Sequence, residues 1–191
     1  MKFKKLLVLI AALVALGALA VFKQVAGPKE KPSELSEGTA VSPSFDTASV
    51  KRVDIHRGES DRLLFVKDDA GDWKLDSRFG TRVRKESLEP LLSQLAALRG
   101  ELRAEDKQLF GDFSLTEEKA FQFEIYGSAD QKLAHVFLSP QRPRGTQNFV
   151  RAFGSDRVFV TDTDLLASLG IFSEQDRLQE RVFAEDSAPS A

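Results

Sequence analysis

Two histidines, two kinds of acidic pair and two basic clusters are the residues of this 191-residue chain whose types could do chemistry. Imidazole is the commonest metal ligand and titrates near neutrality, so His56 and His135 come first. Neither has a second histidine or a carboxylate at ligand spacing. His56 shares a strand face with Asp54 and precedes a turn, which reads as an exposed strand end. His135 sits in a stretch that is apolar on both sides and reads as a half-buried, hydrogen-bonded histidine. Thr161-Asp162-Thr163-Asp164 alternates carboxylates as some divalent-cation loops do, but no loop glycine or later bidentate glutamate completes it, and a helix cap accounts for it with less. The pairs Asp68-Asp69 and Glu117-Glu118 fall in turns, where conformation and solubility explain them. Arg78, Arg82, Arg84 and Lys85, with the loop pair Arg142 and Arg144, are the candidate contacts for an anion or a partner, since guanidinium and ammonium groups recognise phosphate and carboxylate. The chain has no cysteine nucleophile, and the glycine-rich phosphate loops, the G-x-S-x-G elbow and H-E-x-x-H are missing. The expectation is therefore no catalytic residue, no metal and no cofactor.

The elements that must position these residues read as α+β: mainly antiparallel sheet with one amphipathic helix packed on it. Val53 and Ile55 alternate with Arg52, Asp54 and His56 in a first strand; Arg62 to Lys67 forms a second; and Asp68 to Asp72 supplies the turn into a third that carries Trp73 and Leu75. Leu88, Leu91, Leu92, Leu95 and Leu98 recur at three- and four-residue spacing, which predicts a helix with Ser87 as cap, Pro90 in its first turn and Gly100 at its end. Glu101 to Glu118 reads as polar and irregular, pinned by Leu109, Phe110, Phe113 and Leu115. Strands then resume at Phe121 to Ile125, Leu133 to Leu138, Phe149 to Phe153 and Arg157 to Thr161, followed by a short helix capped by Asp162 or Thr163 and ended by Gly170. Strands and then a helix have occurred twice, which reads as a weak internal duplication into two similar halves.

The N-terminus sets an address. Lys2, Lys4 and Lys5 lead into an uncharged run from Leu6 to Phe22 that stops at Lys23. As a helix it spans roughly 25 Å, just under a bilayer's hydrocarbon thickness. We read residues 1–23 as an uncleaved single-pass anchor in the cytoplasmic membrane, with the N-terminus inside and the rest in the periplasm or outside. Secretion after cleavage at Ala20 is the alternative, because Ala18 and Ala20 fit a cleavage pattern. Residues 24–46, with Pro28, Pro32 and Pro43, read as a flexible linker, 47–184 as the folded domain and 185–191 as a disordered tail. Composition is that of a globular protein, 42% hydrophobic and 29% charged. Setting aside Lys2, Lys4, Lys5 and Lys23, 23 basic residues face 29 acidic ones, a net of about −6 that argues against a nucleic-acid partner.

Certain residues carry a family resemblance: Val50, Val53, Ile55 and Arg57; Gly71, Trp73 and Leu75; the Leu88 to Leu98 helix; and Phe149-Val150-Arg151 with Val158 and Val160. Over about Thr47 to Phe183 the chain resembles the bacterial domain of unknown function 4340. The resemblance implies a membrane-anchored envelope protein of the kind often encoded beside ABC-type transporter components. It implies no activity. The functional expectation is thus a non-enzymatic, membrane-tethered accessory or interaction domain, whose partners are the cytoplasmic membrane and another envelope protein, such as an ABC-type transporter subunit. The alternative is a protein that binds or hydrolyses an envelope glycan or lipid.

Overall fold

The computed structural model describes residues 38–59, 61–76 and 80–185. The anchor read over 1–23, the linker up to residue 37, Arg78 and the tail beyond 185 lie outside them. Among the described residues no helix is long and apolar enough to cross a membrane. Within the described residues, alternating apolar positions produce most of a ten-stranded, wholly antiparallel sheet. The first meander contains β2 (Arg52–Arg57), β3 (Asp61–Lys67), β4 (Trp73–Leu75) and β5 (Thr81–Arg82). The second contains β7 (Phe121–Tyr126), β8 (Lys132–Leu138), β9 (Asn148–Ala152) and β10 (Val158–Thr161). They meet at the β2–β7 pair, where Asp54 lies opposite Glu124, and each runs outward from it.

The two halves share one connectivity and exchange their ends. Helix α1 (Lys85–Ala96) follows the first meander and leads into β6 (Arg99–Ala104), which pairs with β10 at the outer edge of the second. Helix α2 (Leu165–Ser168) follows the second meander, and the chain after it returns to bridge Val83 with Ala184, just beyond β5. Each half thus closes the other's edge through backbone hydrogen bonds, with the Glu185 amide donating to the Arg82 carbonyl and the Arg84 amide to that of Phe183. Each half therefore runs through four strands, a helix and a closing segment, where element order alone suggested three strands and a helix.

One face of the sheet is the main core. Val53, Ile55, Phe65, Trp73, Leu75, Phe121, Phe123, Val136, Leu138 and Val150 point to it, and Leu88, Leu91, Leu92, Leu95 and Leu98 close over them together with Leu165, Leu166 and Leu169. The leucine stripe packs as its spacing requires, but the helix bounds differ from the sequence reading. α1 begins at Lys85 after an Arg84 that makes no side-chain cap, so Ser87 is its third residue and Pro90 its sixth. Pro90 is exposed, where the carbonyl left without an amide partner is open to water. Gly100 does not end the helix. It lies in β6, where a Cβ would stand 2.8 Å from the Phe159 Cβ and the Val160 carbonyl oxygen, so only glycine lets β6 seat this close to β10.

β6 occupies residues read as irregular chain. Its side chains are mostly exposed, so it shows no apolar alternation, and it is held by its backbone ladder. β1 (Thr39–Ala40) pairs with it, and Val41 is buried. Described sheet structure thus extends ahead of the expected residue 47, and a Cβ on Gly38 would stand 3.0 Å from the Gly100 amide nitrogen and carbonyl oxygen, so glycine lets this segment seat close to β6. α2 is capped by Asp164, whose carboxylate accepts from the Ala167 amide at 3.0 Å; Asp162 and Thr163 precede the cap, and Gly170 ends the turn with φ +72°.

Candidate functional site

The sheet's second face carries the residues that alternate out of the core. Over the second meander it is covered by residues 105–120, which sequence alone shows only as a run with pinning apolar residues. Asp106 accepts from the Gln108 amide at 2.9 Å and starts a 3₁₀ turn, Lys107–Gly111. Leu115, Phe110 and Phe113 then pack on Phe137, Phe149 and Val158, with the Phe113 and Phe149 rings edge to face at 4.8 Å. Leu109, expected to pin this stretch, is 37% exposed.

Arg151 is enclosed beneath this cover. It is opposite Phe137 in the β8–β9 register, and its guanidinium carbon lies 3.5 Å from the Phe137 ring centroid and 4.3 Å from that of Phe110. Its Nε donates to the Leu115 carbonyl at 2.9 Å. The residue is 6% exposed, and no carboxylate among the described residues comes within ion-pair distance of it. Burial lowers its pKa, and the field of Glu117 opposes that shift. Arg151 lines a shallow cleft together with Lys107, Thr116, Glu117, Phe153 and Asp156. Phe153, by contrast, is 60% exposed.

His135 stands beside it, stacked against both Phe137 and Phe153 with ring centroids 4.7 Å away in each case. Gln122 fixes its tautomer: the Gln122 amide nitrogen donates to the Glu117 carbonyl at 2.9 Å, which leaves Oε1 to accept from His135 Nε2 at 3.1 Å. His135 Nδ1 is buried without a hydrogen bond, 3.6 Å from Glu124 Oε1. Burial, aided by the charges of Lys132, His56 and Arg151 and opposed by Glu124, pushes the imidazole down to about 4, so it is neutral at pH 7. Glu124 accepts from the Tyr126 hydroxyl and from Lys132 Nζ, the latter at 3.0 Å. Burial pushes its carboxyl up, but these hydrogen bonds and the neighbouring charges outweigh it, and the net shift is downward. Further along, buried Asp54 holds Arg62 in a two-point ion pair, with Nε to Oδ1 at 2.8 Å. His56 is partly exposed and sits opposite Gln122 and Arg62, inside the sheet rather than at an exposed end.

The cations singled out by sequence fall elsewhere, in two places, and their charges are largely met. Lys85 pairs with Asp72 at 3.0 Å; Arg82 pairs with Asp72 at 3.5 Å and Glu185 at 3.9 Å. Arg84 donates to the carbonyls of Arg181 and Val182 at 2.8 and 2.9 Å, which ties down the returning chain. Arg142 pairs with Asp164 at 2.8 Å and donates to the Ile171 carbonyl, while Arg144 is exposed. Asp162 accepts from Gln147 at 2.8 Å, so the two carboxylates of Thr161 to Asp164 serve different partners. Among the described residues no group of three metal-capable side chains converges. Arg151, Phe153 and Gln122 carried no site role in the sequence reading, which used Arg151 and Phe153 only as strand and family positions. The available signal was Phe149, Arg151 and Phe153 alternating with Val150 and Ala152, which places a charge between two aromatics on a strand whose other face is core.

No curated protein and no solved structure gives a significant match to the chain. A family profile does, over residues 73–175, from β4 through both helices to the turn after α2. That is more than half of the chain, and it includes the covering segment, Arg151 and His135. The chain belongs to the family described as Domain of unknown function (DUF4340).

Proposed function

We propose that this protein is a tethered, non-enzymatic interaction domain outside the cytoplasmic membrane, an accessory subunit of a transporter-type envelope complex that meets its partner through the second face of the sheet around Phe153. The observation that carries this is Phe153 itself. A phenylalanine 60% exposed, yet held flat against His135, is a rigid apolar anchor of the kind that dominates protein interfaces. The clefts around it are shallow, and its neighbours carry no nucleophile paired with a base, which supports binding rather than turnover. The basic-then-apolar run of residues 1–23 supports the tether, and a tether raises the effective concentration of the domain near membrane neighbours, so that a modest interface suffices.

The test is complementation of a deletion strain. Removing residues 1–23 while preserving export by another signal abolishes function, and Phe153→Asp in the full chain does the same with the protein still folded and abundant. His56→Ala and Asp162→Ala leave function intact. Full complementation by the released domain overturns the tethered reading.

A further inference from the structure

We propose that the cleft between Arg151 and Phe153 receives an acidic side chain of a protein partner, its carboxylate taken by the free edge of the Arg151 guanidinium and a neighbouring apolar residue resting on Phe153. This rests on the interaction-domain reading and names the chemistry of the partner. A guanidinium has two faces and five N–H donors. Here Phe137 and Phe110 cover the faces and the Leu115 carbonyl takes Nε, while the Nη groups hydrogen-bond to no other described residue. The group is thus rigidly held with its bidentate edge left over, the edge that matches a carboxylate. A cation 94% removed from water without a counter-ion is costly, and among the described residues none is supplied: Glu117 and Asp156 line the cleft but are exposed and stand outside ion-pair distance. With Arg151 and Lys107 set against Glu117 and Asp156, the cleft carries no net charge, so a dianion such as phosphate is disfavoured more than a single carboxylate. A free small acid would leave Phe153 in water. A protein surface covers the aromatic and the arginine together, the combination typical of interface hot spots.

The experiment is a titration of the ¹⁵N-labelled full-length protein in detergent micelles with acetyl-Glu-Phe-amide, its acetyl-Gln-Phe-amide counterpart and inorganic phosphate. We expect the glutamyl peptide to shift the Arg151 Nε–H and Gly154 amide signals saturably, with the glutaminyl peptide and phosphate about tenfold weaker or more. Arg151→Lys keeps the charge but loses the fork and weakens the glutamyl peptide about tenfold. Glu117→Gln lies on an exposed residue and leaves folding intact, so it keeps the proposal open to refutation if Arg151 variants misfold. It removes a competing charge and tightens the glutamyl peptide about threefold. Equal binding of the two peptides, tighter binding of phosphate, or an unchanged affinity in Glu117→Gln overturns the proposal. The titration does not depend on the tether, so discrimination between the peptides alongside full complementation by the released domain would sink the tethered reading alone.

Discussion

Lys74 and Arg151 occupy the same position in the two meanders. Counting outward from the Asp54–Glu124 pair, Leu64 corresponds to His135, Val66 to Phe137 and, one strand further, Lys74 to Arg151. Their surroundings could hardly differ more. The Lys74 side chain is 50% exposed and paired at 3.0 Å with Asp68 from its own turn, whereas Arg151 is closed between two rings with no acid in contact. The sheet does not make this difference, since strand order and register are shared. Residues 105–120 make it, because they cover one meander's second face and dry the cation beneath. Two meanders of like strand order differ through one connection, and the candidate site lies where they differ.

The most severe way to break the comparison is through the face both meanders share. Leu92 is 2% exposed in the stripe of α1, so Leu92→Asp places an unpaired charge in the core and costs several kcal/mol, enough to unfold a domain of ordinary stability. Glu89→Ala, on the exposed side of the same helix, changes stability by less than about 0.5 kcal/mol. The edges are exchanged between the halves, so chemical denaturation of Leu92→Asp should show both meanders lost together. A surviving second meander would mean the halves are separable. A milder change acts on the cover alone. Phe113→Ala removes the edge-to-face contact with Phe149 and should cost about 2 to 3 kcal/mol. Amide exchange at Leu115, whose N–H donates to the Phe110 carbonyl at 2.8 Å, would rise, and Arg151 would come to resemble Lys74 in exposure.

His135 and Leu64 sharpen the contrast through pH. The folded imidazole is held at about 4 against an ordinary 6.5, so the unfolded chain binds more protons between those values. The stability contributed is complete above pH 6.5 and is lost as pH falls toward 4, by about 1 to 2 kcal/mol once solvent screening is allowed for. His135→Leu installs the first meander's residue in the second and should remove this slope from denaturation curves taken between pH 7 and 4. Glu124 is held below its ordinary 4.5, and its own contribution is lost at lower pH still.

What could be read from the chain follows from how local each cause is. The leucine stripe, the Trp73 and Leu75 face and the Asp68 to Asp72 turn are set by neighbours a few residues away, and they appear where spacing placed them. β6 was illegible because a strand with charged, exposed side chains is held by its partner's backbone, and that partner, β10, comes more than fifty residues later. The basic clusters drew attention by charge density, but density along the chain is met here by Asp72, Glu185 and Asp164 arriving from other turns. Arg151 showed the opposite failing. A single arginine between two phenylalanines looks ordinary until residues 110 and 115 fold over it, and its lack of a counter-ion is a property of the fold alone.

The smallest expected effect is the most direct control on that conclusion. Lys74→Met removes a cation from the position equivalent to Arg151, but one whose ion pair is exposed, and such pairs contribute about 0 to 1 kcal/mol. The Asp68 carboxylate keeps the amides of Ala70 and Asp72, at 3.0 and 2.9 Å, so the turn survives without the lysine. Burial of the new apolar stem against β3 and β5 offsets part of what is lost, so the melting temperature should move by no more than a few degrees. In vivo function should be unchanged, because nothing covers this cation and nothing dries it. A loss of function in folded Lys74→Met as large as that expected of Phe153→Asp would mean that both meanders present their second face to a partner. The covering segment would then be a structural cap rather than the feature that sets the second meander apart.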